Sequence, residues 1–193
     1  MRPLRVTVLG SGNIATSVTL VASLATYFGE HPLELLFWDA DEERADLFDR
    51  FARLCFTVAR SAHELETVTE PEEALEAADR VLVAVDENCA QKFLKGRAEA
   101  RAPDRVEIAV ERLLQNVPDT VPVFDLVGAV SPLRARTSRT DRWPYMPEGL
   151  ALQTRPHQIL RWIRGEEYVN ELLARNEQSP LKAWLDQLEQ SEI

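Results

Sequence analysis

The feature that most constrains this chain is its opening: a short β-branched and apolar run, Leu4–Leu9, passes without a spacer into Gly10-Ser11-Gly12-Asn13-Ile14-Ala15. A run of that length and composition reads as a buried strand, and two glycines before a helical pattern read as a tight turn into a helix. Apolar residues continue at helical spacing through Ile14, Val18, Val21, Ala22 and Ala25, and Gly29 supplies a stop. A strand that turns at once into a helix must return by a crossover, which commits the start of the chain to parallel pairing.

The rest of the first 127 residues keeps that alternation. Leu33–Trp38 is a second apolar run, closed by Asp39-Ala40-Asp41. Residues 42–56 place Ala45, Phe48 and Phe51 on one side and charge on the other, which predicts an amphipathic helix whose Arg and Glu residues form a solvated face. Residues 65–69 are a weaker strand candidate. Thr69-Glu70-Pro71-Glu72-Glu73 then carries an early proline and acids at the positive end of a helix expected to end near Ala78. Residues 80–85 form a third buried strand, a helix is expected from Asn88 with a break at Pro103 and resumption over 106–114, and 121–127 closes the series. The expected fold is therefore α/β: a Rossmann-type, doubly wound, mainly parallel sheet with a short C-terminal helical appendage. The change of texture at Ser131 places the domain edge there, with residues 1–130 as the Rossmann-type domain and 131–193 as an Arg-rich loop plus helices.

Gly10, Gly12 and Ala15 spell GxGxxA. Gly10 permits the turn, Gly12 lets a pyrophosphate approach bare backbone, and the small Ala15 lets helix and strand pack closely. Helix N-termini favour anions through their free N–H groups and dipole. Asp39, at the end of the second strand, is placed to accept hydrogen bonds from both adenosine ribose hydroxyls and to repel a 2′-phosphate, which favours NAD over NADP. The same loop would also serve as a plain tight turn in a fold without a ligand, and Asp39 and Asp41 are both candidates to cap the following helix.

Three segments together resemble a known family. Val8-Leu9-Gly10-Ser11-Gly12-Asn13-Ile14, then Trp38-Asp39-Ala40-Asp41-Glu42-Glu43-Arg44, then the stretch from Thr69-Glu70-Pro71 through Ala78-Asp79-Arg80-Val81 are similar to the N-terminal domain of lactate and malate dehydrogenases and NAD-dependent family 4 glycosidases. The resemblance implies that Gly10, Ser11, Gly12, Asn13 and Ile14 line the pyrophosphate, that Asp39 holds the adenosine ribose, and that Val85 and Asp86 border the nicotinamide half. It covers about the first 90 residues well. Those families place an Asn near a Pro after the last strand, whereas this chain reads Leu126-Val127-Gly128-Ala129-Val130-Ser131-Pro132. The resemblance carries fold and cofactor, but no reaction.

Arg134, Arg136, Arg139 and Arg142 form a positive cluster in a chain of formal net charge −10. The cluster is a candidate site for a small phosphate or carboxylate ligand, or else a solvated or partner-binding arm. The overall acidity argues against nucleic acid, and no apolar run reaches the roughly 20 residues of a membrane span. Cys55 and Cys89 show no CxxC or Cys/His clustering. Reduced thiols, no metal site and a cytoplasmic setting are therefore expected. Cys89 reads as an inert helix residue, and His31, His63 and His157 are isolated from one another. Trp143 and Tyr145 read as a hydrophobic plug or an oligomer contact. Two functions fit these residues. One is a non-catalytic NAD-binding protein whose helical tail makes a homodimer. The other is a small NAD-dependent oxidoreductase acting on an anionic substrate, its site completed across the dimer, with Asp86, Glu87 or His157 as acid or base.

Overall fold

A computed structural model of the chain describes residues 2–27, 32–118, 120–121 and 123–127. The Arg134–Arg142 cluster, Trp143, Tyr145, His31, His157, the domain edge and the C-terminal helices expected from the sequence lie outside the described residues.

Five parallel strands stand in the order β3-β2-β1-β4-β5. They are β1 Leu4–Leu9, β2 Leu33–Trp38, β3 Glu64–Thr67, β4 Arg80–Val83 and β5 Val123–Asp125. Pairing of Leu4 with Leu33 and of Val6 with Arg80 puts β1 at the centre, with its carboxyl end at the point where the strand order reverses. That reversal opens the crevice in which ligands of open α/β sheets sit.

Side chains alternate across the pleat, so β1 serves two cores at once. Val6 and Val8 face α1 (Ile14–Tyr27) and α2 (Glu42–Ala59), packing with Val18, Val21, Phe48, Phe51 and Cys55. Leu9 faces the other layer, with Val81, Val83, Ala74, Ala90, Leu94 and Val110. That layer is built by α3 (Pro71–Leu75), α4 (Glu87–Phe93) and α5 (Arg105–Leu114). Thr7 lies on this side fully buried, and its hydroxyl donates to the Ala74 carbonyl.

The last three strands are shorter than the sequence reading, with β4 ending at Val83 and β5 spanning Val123–Asp125, and three helix ends differ from it, each for a local reason. The α2 helix runs on to Ala59 because Val58 and Ala59 still pack on the core, and it ends where Arg60 turns left-handed and Ser61 N–H reaches the Phe56 carbonyl. The α3 helix stops at Leu75, short of Ala78, because Ala77 takes a left-handed φ of 55° and the Arg5 guanidinium holds the Glu76 carbonyl. The break expected at Pro103 begins earlier, at Gly96 with φ 85°, followed by a 3-10 turn at Ala98–Arg101.

Candidate functional site

The loop joining β1 to α1 is folded against its neighbours rather than standing free. Gly10 has φ 80°, a conformation that side chains resist, and a Cβ placed on it would stand 2.5 Å from the Val85 backbone nitrogen. Gly10 and Ser11 both donate their N–H groups to the Trp38 carbonyl, at 2.8 and 3.1 Å. Asn13 donates its side-chain amide to the Ala84 carbonyl at 2.7 Å and its backbone N–H to Gly10. The glycine loop is thereby tied to the carboxyl ends of both β2 and β4.

Asp39 completes the tie. Its Oδ2 accepts the Gly12 N–H at 2.9 Å and its Oδ1 accepts the Asp41 N–H at 2.8 Å, in a residue only 5% exposed. Burial pushes the Asp39 carboxyl up from 3.8 to about 6, against the pull of those two backbone N–H groups, and nearby Asp86 adds to the rise. Asp39 therefore does not cap α2. Asp41 occupies the cap position, yet its side chain makes no cap hydrogen bond.

Asp41 looks across the crevice instead. Its Oδ2 accepts from Asn88 at 2.7 Å and pairs with Lys92 at 2.8 Å. Burial would raise its carboxyl, but the Lys92 and Asn88 contacts outweigh it and the net displacement is downward. One turn into α2, Arg44 crosses the same gap, with Nη1 3.0 Å from Asp86 Oδ2. The sequence reading assigned the α2 arginines to a solvated face; Arg44 instead leans on Gly12, its Cβ 2.5 Å from where a Gly12 Cβ would stand. Arg44, Asn88 and Lys92 are the crevice residues that sequence reasoning missed. For Arg44 the signal was its place three residues after Asp41, on the turn of α2 that faces the glycine loop.

The remaining candidates are accounted for individually. Ile14 is the first residue of α1. Val85 is fully buried against Gly10. Asp86 caps α4, its Oδ1 accepting the Cys89 N–H at 2.9 Å. Glu87 is turned to Arg105. Cys89 is buried, and its thiol is pushed up by burial and by the nearby Asp39 charge, so it is no thiolate at neutral pH. Ser11, Thr16 and Ser17 carry buried hydroxyls with no hydrogen-bond partner among the described residues. Buried polar groups are ordinarily paired, and these three hydroxyls in and just after one loop depart from that rule.

Among the described residues no His, Cys, Asp and Glu group is arranged to hold a metal, and no helix is long and apolar enough to cross a membrane. An open groove beside α3 and α5, lined by Glu70, Glu73, Phe93 and Arg112, lies apart from the glycine loop.

No protein-family model and no curated protein matches the chain. Solved structures do. A 6-phospho-α-glucosidase from gut microorganisms, in complex with NAD and Mn2+, aligns with TM-score 0.54 at 16% identity over 76% of this chain and 39% of that one. A 6-phospho-β-glucosidase from Thermotoga maritima, with NAD and glucose-6-phosphate, gives 0.52 at 16% over 84% and 42%. Malate dehydrogenase of Cryptosporidium parvum gives 0.55 at 10% identity over 95% of this chain and 72% of its own. The chain thus spans about two fifths of the length of the glucosidases it matches. At these identities the likeness establishes the fold, an α/β domain of Rossmann type.

Proposed function

We propose that the domain binds a dinucleotide, NAD, with Gly10, Ser11, Gly12, Asn13 and Ile14 around the pyrophosphate, Asp39 on the adenosine ribose, and Val85 and Asp86 beside the nicotinamide half. The observation that carries this reading is Asp39. A carboxylate held at the mouth of the glycine loop, bonded to the Gly12 N–H and raised to about 6 by burial, is a poor choice for stability alone. It is a good choice for receiving two sugar hydroxyls, which would replace the solvation it lacks. The similar solved structures that hold NAD support the same assignment.

The crevice above Asp39 is crossed by the Arg44–Asp86 and Lys92–Asp41 pairs. Arg44 and Asp86 are each about a third exposed, so their pair is worth on the order of 1 kcal/mol, while Lys92 reaches the buried Asp41. Binding without catalysis is the reading favoured within the described domain. Of the acid or base candidates there, Asp86 is held by Arg44 and Glu87 by Arg105, while the Cys89 thiol is raised rather than activated. An oxidoreductase would take its acid or base from residues beyond 127, where the Arg134, Arg136, Arg139 and Arg142 cluster would orient an anionic substrate. We extend the proposal to a homodimer acting in the cytoplasm.

Fluorescence titration with NADH tests it. The intact chain should bind saturably, and Asp39→Ala should lose about 1–3 kcal/mol of binding free energy through the lost ribose contacts. Equal affinity in a folded Asp39→Ala variant removes Asp39 from the site, and no binding by the intact chain removes the function.

A further inference from the structure

We propose that Asp86 sets the choice between the two dinucleotide classes by holding Arg44 away from the adenosine 2′ position; the inference rests on the reading of Asp39 as the ribose acid. The root of the Arg44 side chain and the Asp39 carboxylate flank the same glycine. A Cβ on Gly12 would lie 2.5 Å from Arg44 Cβ and 2.9 Å from Asp39 Oδ2. A guanidinium springing from that point is within a side chain's length of whatever Asp39 holds. Arginine is the residue best suited to a phosphate, because its planar fork of donors matches the oxygens and its charge is permanent.

In this structure the fork is committed elsewhere. Nη1 meets Asp86 Oδ2 at 3.0 Å, and Nε lies at 3.6 Å from Asp41 Oδ2. Asp41 Oδ2 is already shared between Lys92 and Asn88, which leaves Asp86 as the principal holder. Asp86 is itself fixed in direction, because its Oδ1 caps α4 through the Cys89 N–H and so turns Oδ2 toward Arg44. One carboxylate therefore does two jobs with its two oxygens. While it does the second, Arg44 is neutralised and a 2′-phosphate would face Asp39 without a counter-charge.

The two jobs are separable. Asparagine caps a helix about as well as aspartate but carries no charge, so Asp86→Asn should keep α4 and release Arg44. Asp86→Ser, also a capping residue, serves as the second variant should the first fold poorly. The probes are NADH and NADPH, titrated by fluorescence against the intact chain, Asp86→Asn and Asp86→Asn/Arg44→Gln. The intact chain should prefer NADH, Asp86→Asn should raise NADPH affinity relative to NADH by about tenfold as a charge-assisted phosphate contact forms, and Arg44→Gln should abolish that gain. A ratio in Asp86→Asn and Asp86→Ser within about twofold of the intact chain overturns the inference, as does a gain that survives the loss of Arg44. If the intact chain binds neither probe, the dinucleotide reading has failed first; if it binds NADH and the ratio does not move, only the role of Asp86 has failed.

Discussion

At the amino edge of the sheet Arg5 donates its backbone N–H to Asp79 and its side chain to Glu34 and to the Glu76 carbonyl, while Arg2 pairs with Asp79. His63 closes the same edge, its Nδ1 accepting the Leu33 N–H at 3.1 Å and its Nε2 on the Leu24 carbonyl at 2.9 Å. At the carboxyl edge Asp39 and Asp41 are buried, one carboxyl is raised to about 6, and Ser11, Thr16 and Ser17 hydroxyls lack partners among the described residues. Both edges are made by the same strands, so strand chemistry does not explain the contrast. The amino edge spends its polar groups on holding itself together; the carboxyl edge buries hydroxyls that the fold leaves unpaired among the described residues.

The strongest way to break this comparison is Gly10→Ala. A side chain would meet Val85 backbone at 2.5 Å with φ at 80°, and left-handed strain plus overpacking should lower stability by about 3–5 kcal/mol in chemical denaturation. A loss below about 1 kcal/mol would show that the loop is not clamped as described.

Next in size is the pH dependence of Asp39. Its folded value of about 6 lies above the ordinary 3.8, so the folded state holds the proton more tightly. That contribution to stability is complete below 3.8 and is lost as pH rises through about 6, an effect of about 3 kcal/mol. Asp39→Asn should flatten this part of the stability profile. An unchanged slope would mean that the carboxyl is not strained, and the two edges would then differ less than their geometry says.

The amino edge should answer with a smaller effect of opposite sign. Burial holds the His63 imidazole below its ordinary 6.5, so its contribution is present above 6.5 and lost as pH falls. His63→Ala should cost about 1–3 kcal/mol at neutral pH by stranding the Leu33 N–H and Leu24 carbonyl, and should remove this acid-side slope. A variant as stable as the parent would show that the staple between β2 and α1 is idle.

Much of this architecture was legible in the chain. The Leu4–Leu9 run before Gly10 and the Leu33–Trp38 run before Asp39 were read as buried strands, and β1 and β2 stand there in parallel register. Helix ends were less legible, because Ala77 and Arg60 take left-handed backbone without a glycine to announce it. At the site, Gly10, Gly12 and Asp39 were singled out by spacing, and the structure brings them into contact. Arg44 was misread as a surface charge, since helical periodicity says which side of α2 is polar but not what faces it. Lys92 and Asn88 carried no sequence signal at all.

Local pattern by itself determined the strand–glycine–helix opening and the alternation of elements, because backbone sterics and side-chain periodicity act over a few residues at a time. Only the tertiary structure decided that Asp39 would grip the Gly12 N–H, that Asp41 would reach Lys92 and Asn88, and that Arg44 would lean on the glycine loop while held by Asp86. Those partners lie 27 to 51 positions apart in sequence and meet because the crossovers return each strand end to the same edge, where burial and charge choose among the groups delivered there.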